Sequence, residues 1–155
     1  MQIDYLANHP QFIPTLAAWH HAMWGELNPG STVEQRVTRL TSHVGQPAIP
    51  TTLVAFENDT VLGSASLVQN DLMSHPHLTP FMASVYVGEP YRRRGIASAL
   101  VEQMVTAAGQ LGVAKLYLIT PDQQALYARL GWGSEEVVDY RGERVTLMSI
   151  SPLNR

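Results

Sequence analysis

The chain has 155 residues, of which 45% are hydrophobic and 15% charged, with a formal net charge of −3. That balance suits a folded protein with a buried core and argues against a disordered chain or a generally basic nucleic-acid binder. Cysteine is absent, which excludes disulfides, thiolate metal sites and a covalent acyl-cysteine.

No apolar run approaches the roughly 20 residues needed to cross a bilayer, and the N-terminus lacks a basic-then-apolar signal pattern. The expectation is one domain over residues 1–155 in the cytoplasm, with no membrane partner. Residues 2–6 read as a short strand. Residues 10–27 read as a helix, because Phe12, Ile13, Leu16, Ala17, Trp19, Met23 and Trp24 return at helical spacing. Asn28-Pro29-Gly30 breaks it. Ser31 and Glu34 fit a capping box, so a second helix is expected to run to about Val44. Residues 45–50 read as a loop.

The period then becomes extended. Residues 51–57 and 61–69 read as strands joined at Asn58-Asp59, and 70–80, with two prolines and two histidines, as an irregular surface loop. A strand over 82–87 leads through Gly88-Glu89-Pro90 into Arg92-Arg93-Arg94-Gly95-Ile96-Ala97 and a helix to about Leu111. Ile96, Leu100, Met104, Ala107 and Leu111 form its apolar stripe, and Gly112 stands where a glycine ends a helix. Residues 114–119 read as a strand buried on both faces. Thr120-Pro121 reads as the start of a short helix to Leu130, and residues 132–140 and 144–150 as a closing hairpin. The order is β, α, α, β, β, β, α, β, α, β, β. It predicts an α/β fold with a mixed, mostly antiparallel sheet and helices on both faces.

The basic turn is the chemically distinctive stretch. A strand feeding a glycine turn at a helix start makes an anion site, since the first-turn N–H groups lack partners within the helix and the dipole adds positive potential. Gly95 removes the Cβ that would hold a phosphate off the backbone. In a mildly acidic chain, three consecutive arginines focus positive charge on that turn.

These residues resemble the GCN5-related N-acetyltransferase (GNAT) family. Arg92 to Ala97 matches its pyrophosphate turn, Gln/Arg-x-x-Gly-x-Gly/Ala. Tyr127-Ala128-Arg129-Leu130-Gly131-Trp132 matches its late pattern, in which a Tyr precedes a Gly-aromatic pair. The run LITPDQQALYARLGW is similar to a subgroup that includes N-terminal acetyltransferases acting on processed actin and many bacterial members. Where the family often has Asn seven residues before the Tyr, this chain has Thr120.

The resemblance implies an acyltransferase that uses acetyl-CoA as co-substrate. It assigns cofactor contacts to Val85, Tyr86 and Val87 on the strand, to Arg92, Arg93, Arg94, Gly95, Ile96, Ala97 and Ser98 in the turn, and to Thr120. Arg92 and Arg93 would meet the phosphates, and the backbone of Val85 and Val87 would pair with the pantetheine arm. The Tyr127 hydroxyl would protonate the departing thiolate, a sensible match for a phenol with an ordinary pKa near 10.

Attack by an amine needs a group to take its proton. The strand before the turn offers Ser84 and Tyr86 but no carboxylate, which leaves Asp71, His75 and His77 in the preceding loop as candidate bases, with Asp71 the more firmly placed. His20 and His21, adjacent on a helix, do not form an i, i+4 zinc pair, and no metal site is expected. Glu26 and the first-helix aromatics Trp19 and Trp24 are candidates for the acceptor pocket. The expected partner is a small-molecule or peptide amine, and family members often pair through late strands, so a homodimer is one option. Two other readings stay open: an acyl-CoA sensor without transfer, and an ATP site. The latter lacks a Gly-x-x-x-x-Gly-Lys-Ser/Thr run.

Overall fold

In the computed structural model, which describes residues 1–46 and 48–154, the extended stretches lie side by side in one sheet. Among the described residues its strands are β1 (Gln2–Tyr5), β2 (Thr51–Glu57), β3 (Thr60–Val68), β4 (Phe81–Val87), β5 (Leu116–Thr120), β6 (Gly133–Tyr140) and β7 (Glu143–Ile150), in the order β1-β2-β3-β4-β5-β7-β6. Every neighbour pair is antiparallel except β4 and β5, which are parallel. The helices are α1 (Ile13–Trp24), α2 (Val33–Thr41), α3 (Ile96–Gln110) and α4 (Gln124–Arg129). This is the expected mixed α/β architecture. No helix among the described residues is long and apolar enough to cross a membrane.

The sheet is covered on both faces because its central strands bury both sets of alternating side chains. Leu16, Ala17 and Leu40 from α1 and α2 pack with Val54, Phe56 and Val61 on one face. Leu100, Val101 and Met104 from α3 pack with Leu53, Ala55, Leu62 and Leu67 on the other, joined there by Tyr127 and Trp132. At about 25 cal/mol per Å² of apolar surface removed from water, each buried Leu, Val, Phe or Met among these contributes roughly 1.5–3 kcal/mol.

Four local expectations shift. The capping box is Thr32 with Gln35, not Ser31 with Glu34: Gln35 N donates to Thr32 Oγ1 at 3.1 Å and Thr32 N donates to Gln35 Oε1 at 3.0 Å. The second helix stops at Thr41, because Val44 turns away to bridge Thr51. Pro47 of the expected loop lies outside the described residues. The short helix begins at Gln124, three residues after Pro121, because Thr120 completes β5. β5 is not buried evenly: Leu116, Leu118 and Thr120 are buried while Tyr117 and Ile119 are half-buried.

The loop 70–80 is irregular but not loose. Asn70 Nδ2 donates to the carbonyls of His75 and Leu78 at 3.1 and 3.0 Å, and Asn70 Oδ1 accepts from Leu72 N at 3.0 Å. Leu72 is buried against Phe81 and Leu147, so the loop is sewn to the sheet.

Candidate active site at the strand splay

β4 is deformed where the site forms. Ser66 pairs with Ala83 and Ser64 with Tyr86, so Ser84 and Val85 together oppose Ala65 in a β-bulge, and Ser84 adopts a positive φ of 55°. The extra residue bends β4 away from β5. The two pair at Phe81↔Tyr117 and, among the described residues, at no later position. Gly88 N donates to Leu62 O at 2.8 Å. Alternation then directs the backbone groups of Val85 and Val87 away from β3, toward the opening.

Past β4 the chain passes Trp19 so closely that a Cβ on Gly88 would lie 2.7 Å from its ring. It then reaches the arginine turn. Arg93 and Gly95 both have positive φ, 67° and 77°, and a Cβ on Gly95 would meet no atom within 4 Å. The left-handed Gly95 followed by helical Ile96 aims successive N–H groups into one concavity, an anion-binding arrangement. Ala99 N donates to Gly95 O at 3.1 Å, so the amides of Ile96, Ala97 and Ser98 precede the first intrahelical bond of α3. The turn fits a diphosphate.

Its arginines divide. Arg92 Nε donates to Val87 O at 2.9 Å and its guanidinium lies 5.3 Å from the centre of the Tyr86 ring. Arg92 therefore braces the strand as well as charging the turn. Arg94 lies 5.8 Å from the Tyr91 ring, and Arg93 is exposed.

On the α3 face, Tyr127 is 7% exposed and packs edge-on against Trp132, with centroids 6.0 Å apart. Burial, helped by Asp122, pushes its phenol up to about 12. Thr120 is buried at the end of β5, its Oγ1 accepting from Gln123 N at 3.0 Å.

On the opposite face Tyr86 packs against Trp19, Trp24 and His20 of α1, with centroids 5.7, 5.9 and 6.2 Å away. His20 is fully buried, shares a hydrogen bond with Ser64 Oγ at 3.0 Å, and burial pushes it down to about 3. Glu26 is exposed in the turn after α1. Asp71 is half-buried beside Asn70; desolvation pushes its carboxyl up to about 6, against the pull of Arg39, Arg36 and Arg141. His75 lies 2.6 Å from Glu136 and stacks on the exposed His77. The structure thus leaves Asp71 half-buried under the charge of Arg39, Arg36 and Arg141, and gives His75 a carboxylate partner at the surface.

The arginines around Asp71 carried no motif. Arg36 and Arg39 sit on α2 and Arg141 in the β6–β7 turn, and only the fold gathers them. Among the described residues, no group of three or more His, Asp and Glu side chains is placed to hold a metal ion.

Residues 14–132 match the acetyltransferase (GNAT) family. The chain belongs to that family. No curated protein is significantly similar to it in sequence. Among solved structures it is similar to aminoglycoside 6'-acetyltransferase type Ii, at 17% identity and a TM-score of 0.77, covering 100% of this chain and 99% of that one. The ribosomal-protein-alanine N-acetyltransferase of Brucella melitensis has 19% identity and a TM-score of 0.75, covering 97% and 99%. A putative acetyltransferase of Salmonella typhimurium, solved with its cofactor acetyl-CoA, has 18% identity and a TM-score of 0.74, covering 100% and 95%. At these identities the likeness is one of fold; membership in the GNAT family rests on the sequence match.

Proposed function

We propose that this GNAT protein is a single-domain, acetyl-CoA-dependent N-acetyltransferase that moves the acetyl group directly to a primary amine. The observation that carries the reading is the line of groups along β4. The anion-binding turn lies at one end, the outward-facing backbone of Val85 and Val87 follows, and the loop bearing Asp71 enters the other end. Three residues of strand, from Val87 back to Ser84, span roughly 10 Å. A solved relative was determined with acetyl-CoA and another with coenzyme A.

Acetyl-CoA would supply an acyl group already activated as a thioester. The amides of Ile96, Ala97 and Ser98 hold its diphosphate, with Arg93 and Arg94 adding charge. Val85 and Val87 align the pantetheine arm as an added strand, although Arg92 already occupies one lone pair of the Val87 carbonyl. Tyr127, protonated at neutral pH as any tyrosine is and held more firmly so by its burial, donates to the leaving sulfur. Asp71, ionised above about pH 6, takes the proton from the attacking amine, directly or through water.

Calorimetry with acetyl-CoA, followed by a free-thiol assay across a panel of amines, tests this. Saturable binding together with amine-dependent thiol release is expected. No binding at millimolar acetyl-CoA would remove the cofactor assignment. Tight binding without release to any amine would instead identify an acyl-CoA sensor.

A further inference from the structure

On the α1–α2 side of the splay the charge is unbalanced in a way the transfer chemistry does not require. Arg36 is half-buried on α2, its guanidinium 6.0 Å from the centre of the Trp24 ring, and Trp24 packs edge-on against Tyr86 of β4. Arg39 follows one helical turn later, where like charges repel. Arg141 reaches in from the β6–β7 turn, Nη1 donating to Leu27 O at 3.4 Å at the end of the turn after α1. The ion pairs among the described residues are His9–Asp4, His75–Glu136 and Lys115–Glu135; none contains these arginines. Three arginines act on the one carboxyl of Asp71, in a chain whose net charge is −3. Arg36 also loses part of its hydration, which lowers its pKa. Arg36 is the half-buried member and has no ion-pair partner within 4 Å among the described residues, so an added anion there would gain more than at the exposed Arg39 and Arg141.

Resting on the acetyltransferase reading, we propose that the acceptor is a primary amine that also carries a carboxylate or phosphate, and that Arg36, with Arg39 and Arg141, holds that anionic group. A guanidinium offers a planar fork to either oxyanion, and its contact with the Trp24 ring holds the Arg36 side chain near Tyr86 of β4. Asp71, whose carboxyl feels the charge of the same three arginines, then takes the proton from the ammonium end of the same molecule. One site thereby reads both charges of a zwitterion. Polycations such as polyamines are disfavoured there, since the surroundings of Asp71 carry a surplus of positive charge.

The test uses matched pairs in the thiol-release assay: L-amino acids against their C-terminal amides, O-phosphoethanolamine against ethanolamine, and spermidine as a polycation. The same compounds are titrated calorimetrically into the CoA-saturated protein, so the comparison does not depend on turnover. At least one anionic amine should exceed its neutral counterpart in kcat/KM or affinity by about tenfold or more, the size of one charge-assisted contact. Arg36→Gln should reduce that ratio by a similar factor, chiefly through KM, while circular dichroism confirms its fold; Arg39→Gln, at an exposed position, gives the same comparison with less risk to folding. Equal behaviour within every pair, no binding or turnover of any anionic member, or a preference for spermidine overturns the proposal. Failure to bind CoA at all would instead overturn the acetyltransferase reading beneath it.

Discussion

In the proposed mechanism, burial sets opposite roles for two proton-carrying groups, Tyr127 and Asp71. A phenol pushed up to about 12 stays protonated at neutral pH, and a carboxyl pushed up to about 6 is ionised there yet more basic than an ordinary aspartate. Tyr127→Phe keeps the ring against Trp132 and removes the hydroxyl that carries the proton. The expected outcome is a kcat lower by roughly 10²-fold or more, the usual worth of general acid catalysis, with acetyl-CoA affinity unchanged by calorimetry. Asp71→Asn should lower kcat/KM by a comparable factor and abolish the acidic limb of the pH–rate profile, which in the parent protein falls as pH drops through about 6. A limb that survives in Asp71→Asn would place the base elsewhere. Tyr127 was legible in the sequence because it belongs to a local pattern ending in Gly131-Trp132. The setting of Asp71 was not. Its arginines lie at positions 36, 39 and 141, and no local spacing joins them.

At the scale of elements, β4 and its turn do most of the positioning. The strand, the glycine turn and the helix were legible as a sequence of periods, and the left-handed Gly112 ends α3 as a C-cap glycine should, with Val113 N donating to Ala108 O at 3.1 Å. The bulge at Ser84 was not legible, since nothing about serine demands a positive φ; tertiary pairing with β3 imposes it. The capping error has a plain cause. Ser31-x-x-Glu34 and Thr32-x-x-Gln35 fit the same template one residue apart, and the backbone is extended at Thr32, where the helix begins. Thr32→Ala should then cost about 1 kcal/mol of stability in denaturant titration, and Ser31→Ala much less. Gly95→Ala tests the turn. No neighbour clashes with the new Cβ, so its structural cost is the left-handed φ, roughly 1–2 kcal/mol. The added methyl also points into open space where the phosphate would approach. Affinity for acetyl-CoA should fall by about tenfold or more, beyond what the loss of stability explains.

Across the whole molecule, the α1–α2 layer is joined to the sheet partly through buried histidines, and these couple stability to pH. His20 reaches Ser64, and His43 shares a 2.8 Å hydrogen bond with Thr52, which lies 2.8 Å from Ser66. Burial, with nearby arginines, pushes His20 down to about 3 and His43 to about 4. Both are therefore neutral in the folded state and become protonated on unfolding below about pH 6.5, so their contribution is present above that pH and lost as pH falls. Asp71 has the opposite sign. Its folded pKa, about 6, lies above the ordinary 3.8, so its contribution is present at low pH and lost as pH rises through about 6. Between about pH 6 and 4.5 the unfolded chain holds up to about two more protons at the two histidines than the folded chain does, while the folded chain holds up to about one more at Asp71. The net is one proton, and stability should fall by about 1.4 kcal/mol per pH unit on acidification. Asp4 and Glu135, whose pKa values are lowered from 3.8 and 4.5, add to the loss only toward the acid end of that window and below it. Asp71→Asn removes the opposing term. It should be more stable than the parent at pH 7.5, since a desolvated carboxylate is gone. Its stability should then fall about twice as steeply with acid, so that the two converge near pH 4. Denaturant titrations of both proteins from pH 7.5 to 4.5 measure the slopes directly; parallel slopes would show that Asp71 titrates in the folded protein like an ordinary aspartate, and would remove it as a base tuned toward neutrality.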